Sequence, residues 1–276
     1  MNQSISDFVN EAPSSNSIGS IDMYLSDASL PSPIDAYVQY TRSLLRFGTP
    51  DHLNQNEHLG GLLLLGAVSA AEAYFRSIFS QILEMCPISR EVAADKQINL
   101  GGVLWHGYSE FRRSAFEHVT FCSREDIKKH ARAYISFELR DSHFKDPLAE
   151  FDRVCHLRHG LVHNGGILPG RNAVQVGAKP SKAPKRIDLD FGSLQSLIAA
   201  IDTLVLTFNR ELFHEMCRRW ATAWRQRSDW DGANAEKIFN SIWKLHFCKE
   251  LHSQRLGRGN ITRGACLSQV KVEYDL

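Results

Sequence analysis

The stretch RHGLVHNGG, Arg158 to Gly166, holds a permanent cation, two imidazoles and a chain stop within nine residues. Upstream, Asp146-Pro147 reads as a helix start: an oxygen acceptor for the first free N–H groups, then proline at the first helical position, where its missing N–H costs nothing. Downstream, Asn164-Gly165-Gly166 reads as the stop, because glycine enters the left-handed region without a Cβ clash. Between them Leu148, Phe151, Val154, Cys155, Leu161 and Val162 recur at helical spacing as one apolar stripe. The segment is expected to be a core helix over 147–163 whose last turn carries chemistry.

At about 100° per residue, Arg158 falls near the middle of that stripe. A guanidinium there must snorkel, meet an acid or face a cleft. His156, His159 and His163 fall on the adjoining flank, within about 60° of one another. Arg158 and His163 are about 140° apart on an ideal helix. One helix therefore aims them at a single atom only with help from side-chain reach, a bend at its end or a second copy across a dimer. Arginine offers a planar fork to phosphate, and histidine as a residue type gives or takes protons near neutral pH.

Working outward, residues 1–33 are rich in Ser, Asn, Asp and Pro and are expected to form a flexible acidic segment. Helical periodicity begins at Ile34 and ends at Phe47, before Gly48-Thr-Pro. Glu57 to Met85 is apolar enough for a central buried helix, and Glu72 inside it needs a partner, for which Arg158 is the candidate. Val103 to Val119 is expected to be helical. Ser123-Arg-Glu-Asp126 resembles a capping box that starts a helix running to about Leu139. Ala173-Val-Gln-Val176 and Ile187-Asp-Leu-Asp190 alternate like a small hairpin after the motif helix. Helix returns from Ser193 to Arg219 and from Asn234 to His252, and the tail after Gly257 shows no pattern. The fold class is all-α: a bundle of four to five core helices with a small irregular or β-hairpin insertion. The expected organisation is a segment 1–33, a helical domain 34–220 and a basic helical extension and tail 221–276.

Of the 276 residues, 43% are hydrophobic and 23% charged, the balance of a globular protein large enough for one sizeable core. The net charge of +1 by itself points to neither nucleic acid nor membrane. Its distribution is uneven: residues 1–41 hold five acids and no Lys or Arg, whereas 209–264 hold eleven Lys/Arg against six Asp/Glu. Such an excess permits a polyanion partner, although solvated helix faces commonly produce it. Trp220, Trp224 and Trp230 among Arg218, Arg219, Arg225 and Arg227 have the make-up of a base-stacking surface or, more commonly, of aromatic packing on an amphipathic helix. Six cysteines stand singly with no CxxC pair, which removes zinc knuckles and thioredoxin-type chemistry. No basic n-region with an apolar core opens the sequence, and the run Leu62–Ala71 is too short to span a bilayer. A cytoplasmic protein without a membrane partner is the expectation.

The motif region resembles a HEPN domain, a helical-bundle superfamily that includes RNA-cleaving toxins and defence proteins. The family signature is an arginine, a polar residue and, four to six positions on, a histidine late in a core helix; here these are Arg158, His159 and His163. Asn164-Gly165-Gly166, an irregular segment and a closing helix agree with the subgroup reading arginine-polar-x-x-Val-His-x-x-Gly, and a mid-helix acid such as Glu72 is another shared feature. The resemblance covers roughly residues 57–220. It implies metal-independent RNA cleavage with no cofactor. His163 is implied as main acid/base, Arg158 as phosphate clamp, His159 as second proton-transfer group or phosphate contact, and Glu72 as the group orienting Arg158. Asn164 as a substrate hydrogen-bonding group, and Arg225 and Arg227 as RNA contacts, complete the expected site. The implied partners are RNA, a second copy forming a composite active site, and an antitoxin or defence-system subunit. One departure is Gly165, which stands where a subgroup controlled by nucleotidyltransferase antitoxins carries tyrosine, so control by nucleotidylation is not implied.

Two rivals stand beside this reading. The same fold serves as a non-catalytic scaffold holding RNA or a partner. The spacing H-x2-H-x3-H of His156, His159 and His163 puts three imidazoles on one face, as a metal site needs, but Asp152 is the sole carboxylate at the matching turn.

Overall fold

A computed structural model of the chain describes residues 17–29, 31–252 and 261–276, the side chains at 109 and 111 excepted. Residues 1–30 form a small unit of their own. Its described part is exposed and contains one 3-10 turn, Ile21–Tyr24, started by Ser20, whose hydroxyl accepts from Asp22 N at 3.3 Å. The rest of the expected acidic segment, residues 1–16 and 30, lies outside the described residues.

Residues 31–276 form the second unit, which is all-α among its described residues. Helix α1 (Pro33–Leu45) starts at Ser32-Pro33, with the Ser32 hydroxyl accepting from Asp35 N. After the short α2 (Pro50–Gln55) comes the long α3 (Leu59–Met85), then α4 (Pro87–Val92) and α5 (Leu100–His106). Ser123 caps α6 (Arg124–Ile135) by accepting from Asp126 N at 3.0 Å, while its hydroxyl donates to the Asp126 carboxylate at 2.6 Å. The motif helix is α7 (Asp141–His163). A short α8 (Gly170–Gln175) follows, and then α9 (Phe191–Ala221), started by Asp190, which accepts from Ser193 N. Helices α10 (Ala235–His246), α11 (Lys249–His252) and α12 (Arg263–Glu273) complete the unit.

α3 is the centre. It packs on α1, α6, α7 and α9, and α7 in turn lies along α9. At the crossing, Phe75, Phe79, Phe121 and Phe208 are fully buried, with Phe75 and Phe208 meeting edge to face at 5.1 Å. Each such ring contributes roughly 2–3 kcal/mol of burial, and the edge-to-face contacts fix how the helices cross. α3 and α9 are each long and apolar enough to cross a bilayer by length and composition. In this fold they supply much of the core, including Leu64, Ile78, Ile201 and Leu204.

Several sequence expectations are corrected. α7 begins at Asp141, not at Asp146-Pro147, so Pro147 lies inside the helix and leaves the His143 carbonyl without its usual N–H. The gain is burial of Phe144 against Phe137 and Phe208. α6 stops at Ile135, four residues early, where Ser136 turns left-handed at φ 51°. The stretch Val103–Val119 is broken at Gly107 (φ 79°) into α5 and a 3-10 segment, Tyr108–Phe116. The hairpin is absent: Ala173–Gln175 belong to α8, and a single antiparallel bridge joins Ile167 to Arg186. α8 is held by buried Asn172, whose amide donates to the His156 carbonyl at 3.1 Å. The patternless tail contains α12, whose Leu267 and Val270 are buried where it packs on α9 and α10. Residues after 220 thus share the unit of the preceding helices, with Trp220 and Phe239 in its core. Gly257–Asn260 lie outside the described residues.

A buried arginine ties these layers together. Arg219 of α9 donates to the Ile135 carbonyl (2.9 Å) and the Ser136 carbonyl (2.7 Å), which end α6 without helical partners, and to Glu215 (2.7 Å). Burial raises the Glu215 carboxyl, but bonds from Arg218 and Arg219 outweigh it and hold the group below its ordinary range.

Candidate active site at the end of the motif helix

The buried side of α7 is Phe144, Leu148, Phe151, Val154, Cys155 and Gly160. Gly160 is required by close packing: a Cβ there would lie 2.7 Å from Ile187 Cδ1 and 3.1 Å from the Ile167 carbonyl oxygen. The chain folds back onto this glycine because Gly165 (φ 55°) and Gly166 (φ 84°) take two successive left-handed steps, and Gly166 N donates to the Gly160 carbonyl at 3.2 Å. On the α3 side, a Cβ at Gly61 would lie 2.9 Å from Leu161 Cδ2. Gly61 therefore allows the last turn of α7 to lie close to the start of α3, while Gly160 admits the turn that follows α7.

This packing leaves the chemistry outward. Arg158 is half-buried and forms no hydrogen bond or ion pair among the described residues. His159 and His163 are exposed, one turn apart, with ring centroids separated by 4.8 Å at 51°. Asn164 ends the helix; its side chain is exposed, and its carbonyl accepts from Ile167 N at 2.9 Å. His159 and His163 form one surface pair, with Arg158 and Asn164 next to them in the chain.

The other predicted residues are elsewhere. Glu72 does not orient Arg158. Its Oε1 accepts from Phe121 N at 3.2 Å and from Arg76 at 3.1 Å, and Arg76 also donates to the Val119 carbonyl. The carboxylate therefore fastens the Val119–Phe121 segment to α3, where a buried backbone N–H competes for it more directly than a side chain one helix away. Its charge reaches Cys155, one turn before Arg158. The Cys155 thiol is pushed well up by its bond to Cys122, then by burial and by neighbouring negative charge, so it is an inert buried thiol. His156 leaves the histidine group as well. Its Nδ1 accepts from the Asn172 amide at 3.3 Å, which leaves the proton on Nε2 facing Asp152 at 3.9 Å. No group of three or more metal-ligating side chains occurs among the described residues.

Arg225 and Arg227 are committed to the protein. Arg225 stacks over Trp220 at 4.6 Å and Trp230 at 5.4 Å. Arg227 is clamped by Asp229 and Glu91, each at 2.7 Å, and these bonds raise its pKa further. Trp220 and Trp224 are buried, so neither offers a face to a base. Local sequence does not register the bonds of Arg227 to Glu91 or of Arg219 to the end of α6, because those partners are distant in the chain. No family model, curated protein or solved structure matches this chain.

Proposed function

We propose that this protein is a HEPN-type, metal-independent endoribonuclease acting through Arg158, His159 and His163. The observation that carries the reading is the adjacent, exposed His159–His163 pair directly after Arg158, which has no ion pair among the described residues. In the proposed step the RNA 2′-hydroxyl attacks its own 3′-phosphorus. The new 2′-O–P bond forms, the P–O5′ bond breaks, and a 2′,3′-cyclic phosphate and a 5′-hydroxyl remain. One neutral imidazole takes the 2′-hydroxyl proton and a protonated one supplies the 5′-oxygen. His163 is assigned the principal role and His159 the second, since rings this close serve neighbouring oxygens of one phosphate. Arg158 holds the non-bridging oxygens, whose charge grows in the crowded phosphorane. Two copies placing their α7 ends in one groove would supply two such sets and relieve the angular separation of Arg158 and His163 on one helix. Glu72 has no part in this step; its bonds are structural. An antitoxin or defence-system role is the biological setting of the resembling proteins and is proposed on that ground alone.

The test is cleavage of total RNA by wild type, His163→Ala and Arg158→Ala with EDTA present, with the product ends identified. The expected result is cyclic-phosphate ends from wild type and a loss of at least about 100-fold in both variants. His163 is exposed and Arg158 half-buried without a bond to another described group, and circular dichroism checks that both variants fold. Wild type that is folded and binds RNA without cutting it would overturn the nuclease reading in favour of a non-catalytic RNA-binding scaffold.

A further inference from the structure

The chain after α7 carries a run of cations that the proposed chemistry does not use. Residues 166–187 hold Arg171, Lys179, Lys182, Lys185 and Arg186 and no Asp or Glu. A basic run is commonly a solvated face; this one is fastened along the last three turns of the motif helix. Gly166 N donates to the Gly160 carbonyl at 3.2 Å, the Asn172 amide to the His156 carbonyl at 3.1 Å, and Arg153 reaches the Val176 carbonyl at 3.5 Å. The returning arm pairs with the outgoing one: Leu168 N donates to the Lys185 carbonyl and Ile187 N to the Gly166 carbonyl, each at 2.8 Å. The Lys185 backbone is therefore no more than about 23 Å from that of His163, five extended residues plus one strand spacing. Roughly seven stacked nucleotides cover that distance at about 3.4 Å each.

Most of these cations are unpaired. Arg171, Lys179, Lys182 and Lys185 are exposed and form no hydrogen bond or ion pair among the described residues, whereas Arg186 is held by Glu57. The acids on the flanking chain have partners of their own. Glu150 holds Arg153 at 3.0 Å, Asp152 accepts from Arg124 N at 3.0 Å and faces His156, and Asp190 caps α9. Asp188 is the exception, exposed and without a partner among the described residues. The segment is thus net positive, on the helix that ends in Arg158, His159 and His163. It is also stiffened. Pro180 and Pro184 each fix a backbone angle, and the Ser181 hydroxyl donates to the Ala183 carbonyl at 2.9 Å, so less freedom is lost when a ligand orders the loop. Lysine is a point charge that reads no base, so a row of them favours a repeated anion over any one shape.

We propose that Lys179, Lys182 and Lys185 hold the phosphate backbone of an RNA strand, beside the phosphate on which Arg158, His159 and His163 act, without reading its bases. The choice of RNA as the polyanion rests on the nuclease reading of α7, and binding is tested apart from cleavage. The probe is a fluorescent single-stranded RNA of about 20 nucleotides with 2′-O-methyl groups throughout, which binds but cannot be cut, titrated into the full chain at several salt concentrations. Lys179→Ala, Lys182→Ala and Lys185→Ala made together should weaken binding at low salt at least about tenfold and flatten the salt dependence by about 2 in the log–log slope, three contacts at roughly 0.7 each. On a cleavable RNA the same variant should raise KM by a similar factor and keep kcat within about twofold of wild type. Lys179→Arg, Lys182→Arg and Lys185→Arg together keep the charges and should bind as wild type does, which separates lost charge from a disturbed fold. Unchanged binding and slope in the alanine variant would overturn the loop assignment, and wild-type cleavage alongside would leave the nuclease reading standing. Loop-dependent RNA binding by a wild type that cuts nothing would support the loop and refute the nuclease. Poly-glutamate competing as well as unlabelled RNA at equal charge, or no RNA binding by wild type at low salt, would also overturn the proposal.

Discussion

Acid stability isolates His246. The imidazole ordinarily titrates at 6.5, and burial in this fold lowers it to about 4. Its folded value is depressed, so its contribution to stability is fully present above 6.5 and is lost as pH falls towards 4. At pH 7.5 neither state binds a proton there to any extent. At pH 4.5 the unfolded chain is protonated at this position while most folded molecules are not. Each unit of separation is worth about 1.4 kcal/mol, so wild type should lose roughly 2.5 kcal/mol between those pH values from this residue alone. His246→Asn removes the titration and keeps a donor near the Ile242 carbonyl. Urea unfolding of both proteins at a series of pH values gives the difference. Carboxylates common to the two proteins cancel, and the gap measured at pH 7.5 should shift by about 2.5 kcal/mol in favour of the variant at pH 4.5. Parallel pH profiles would refute the buried neutral imidazole.

Two further outcomes test the packing that presents the sites. Gly160→Ala would ordinarily gain helix propensity, yet its Cβ meets the Ile167 carbonyl oxygen at 3.1 Å, and a net loss of about 1 kcal/mol is expected in urea unfolding; a more stable variant would mean that the turn after α7 is not pressed on this glycine. Arg219→Met leaves the Ser136 carbonyl without its donor, the Ile135 carbonyl with only the longer bond from Ser89, and Glu215 with Arg218 alone, and should cost roughly 2–3 kcal/mol by the same measurement; a loss under 1 kcal/mol would show that α6 is not held through this guanidinium.

Much of the helical skeleton was legible in the sequence because its signals act within a few residues. Ser123 with Asp126 is a cap that bonds to an N–H three positions on, and Gly165-Gly166 set their own backbone angles; Asp190, read as the end of a strand, caps α9 instead. The apolar runs of α3 and α9 likewise declare buried helices through their periodicity. That Arg158, His159 and His163 sit at the end of a long helix was legible too, and one turn of α7 suffices to bring the two rings together. What the tertiary structure alone decided is which group each polar side chain meets. Glu72 took a backbone N–H 49 residues away, Arg219 took a carbonyl 84 residues away, and Arg227 took Glu91 at a separation of 136. Burial selected the first two, since an unmatched donor or acceptor away from water costs about 1–3 kcal/mol whatever its local sequence; the Arg227–Glu91 pair is exposed and follows from where α4 meets the chain after α9. Long-range packing likewise carries α7 back past Pro147 to bury Phe144, and it holds Ala173–Gln175 in helix through buried Asn172.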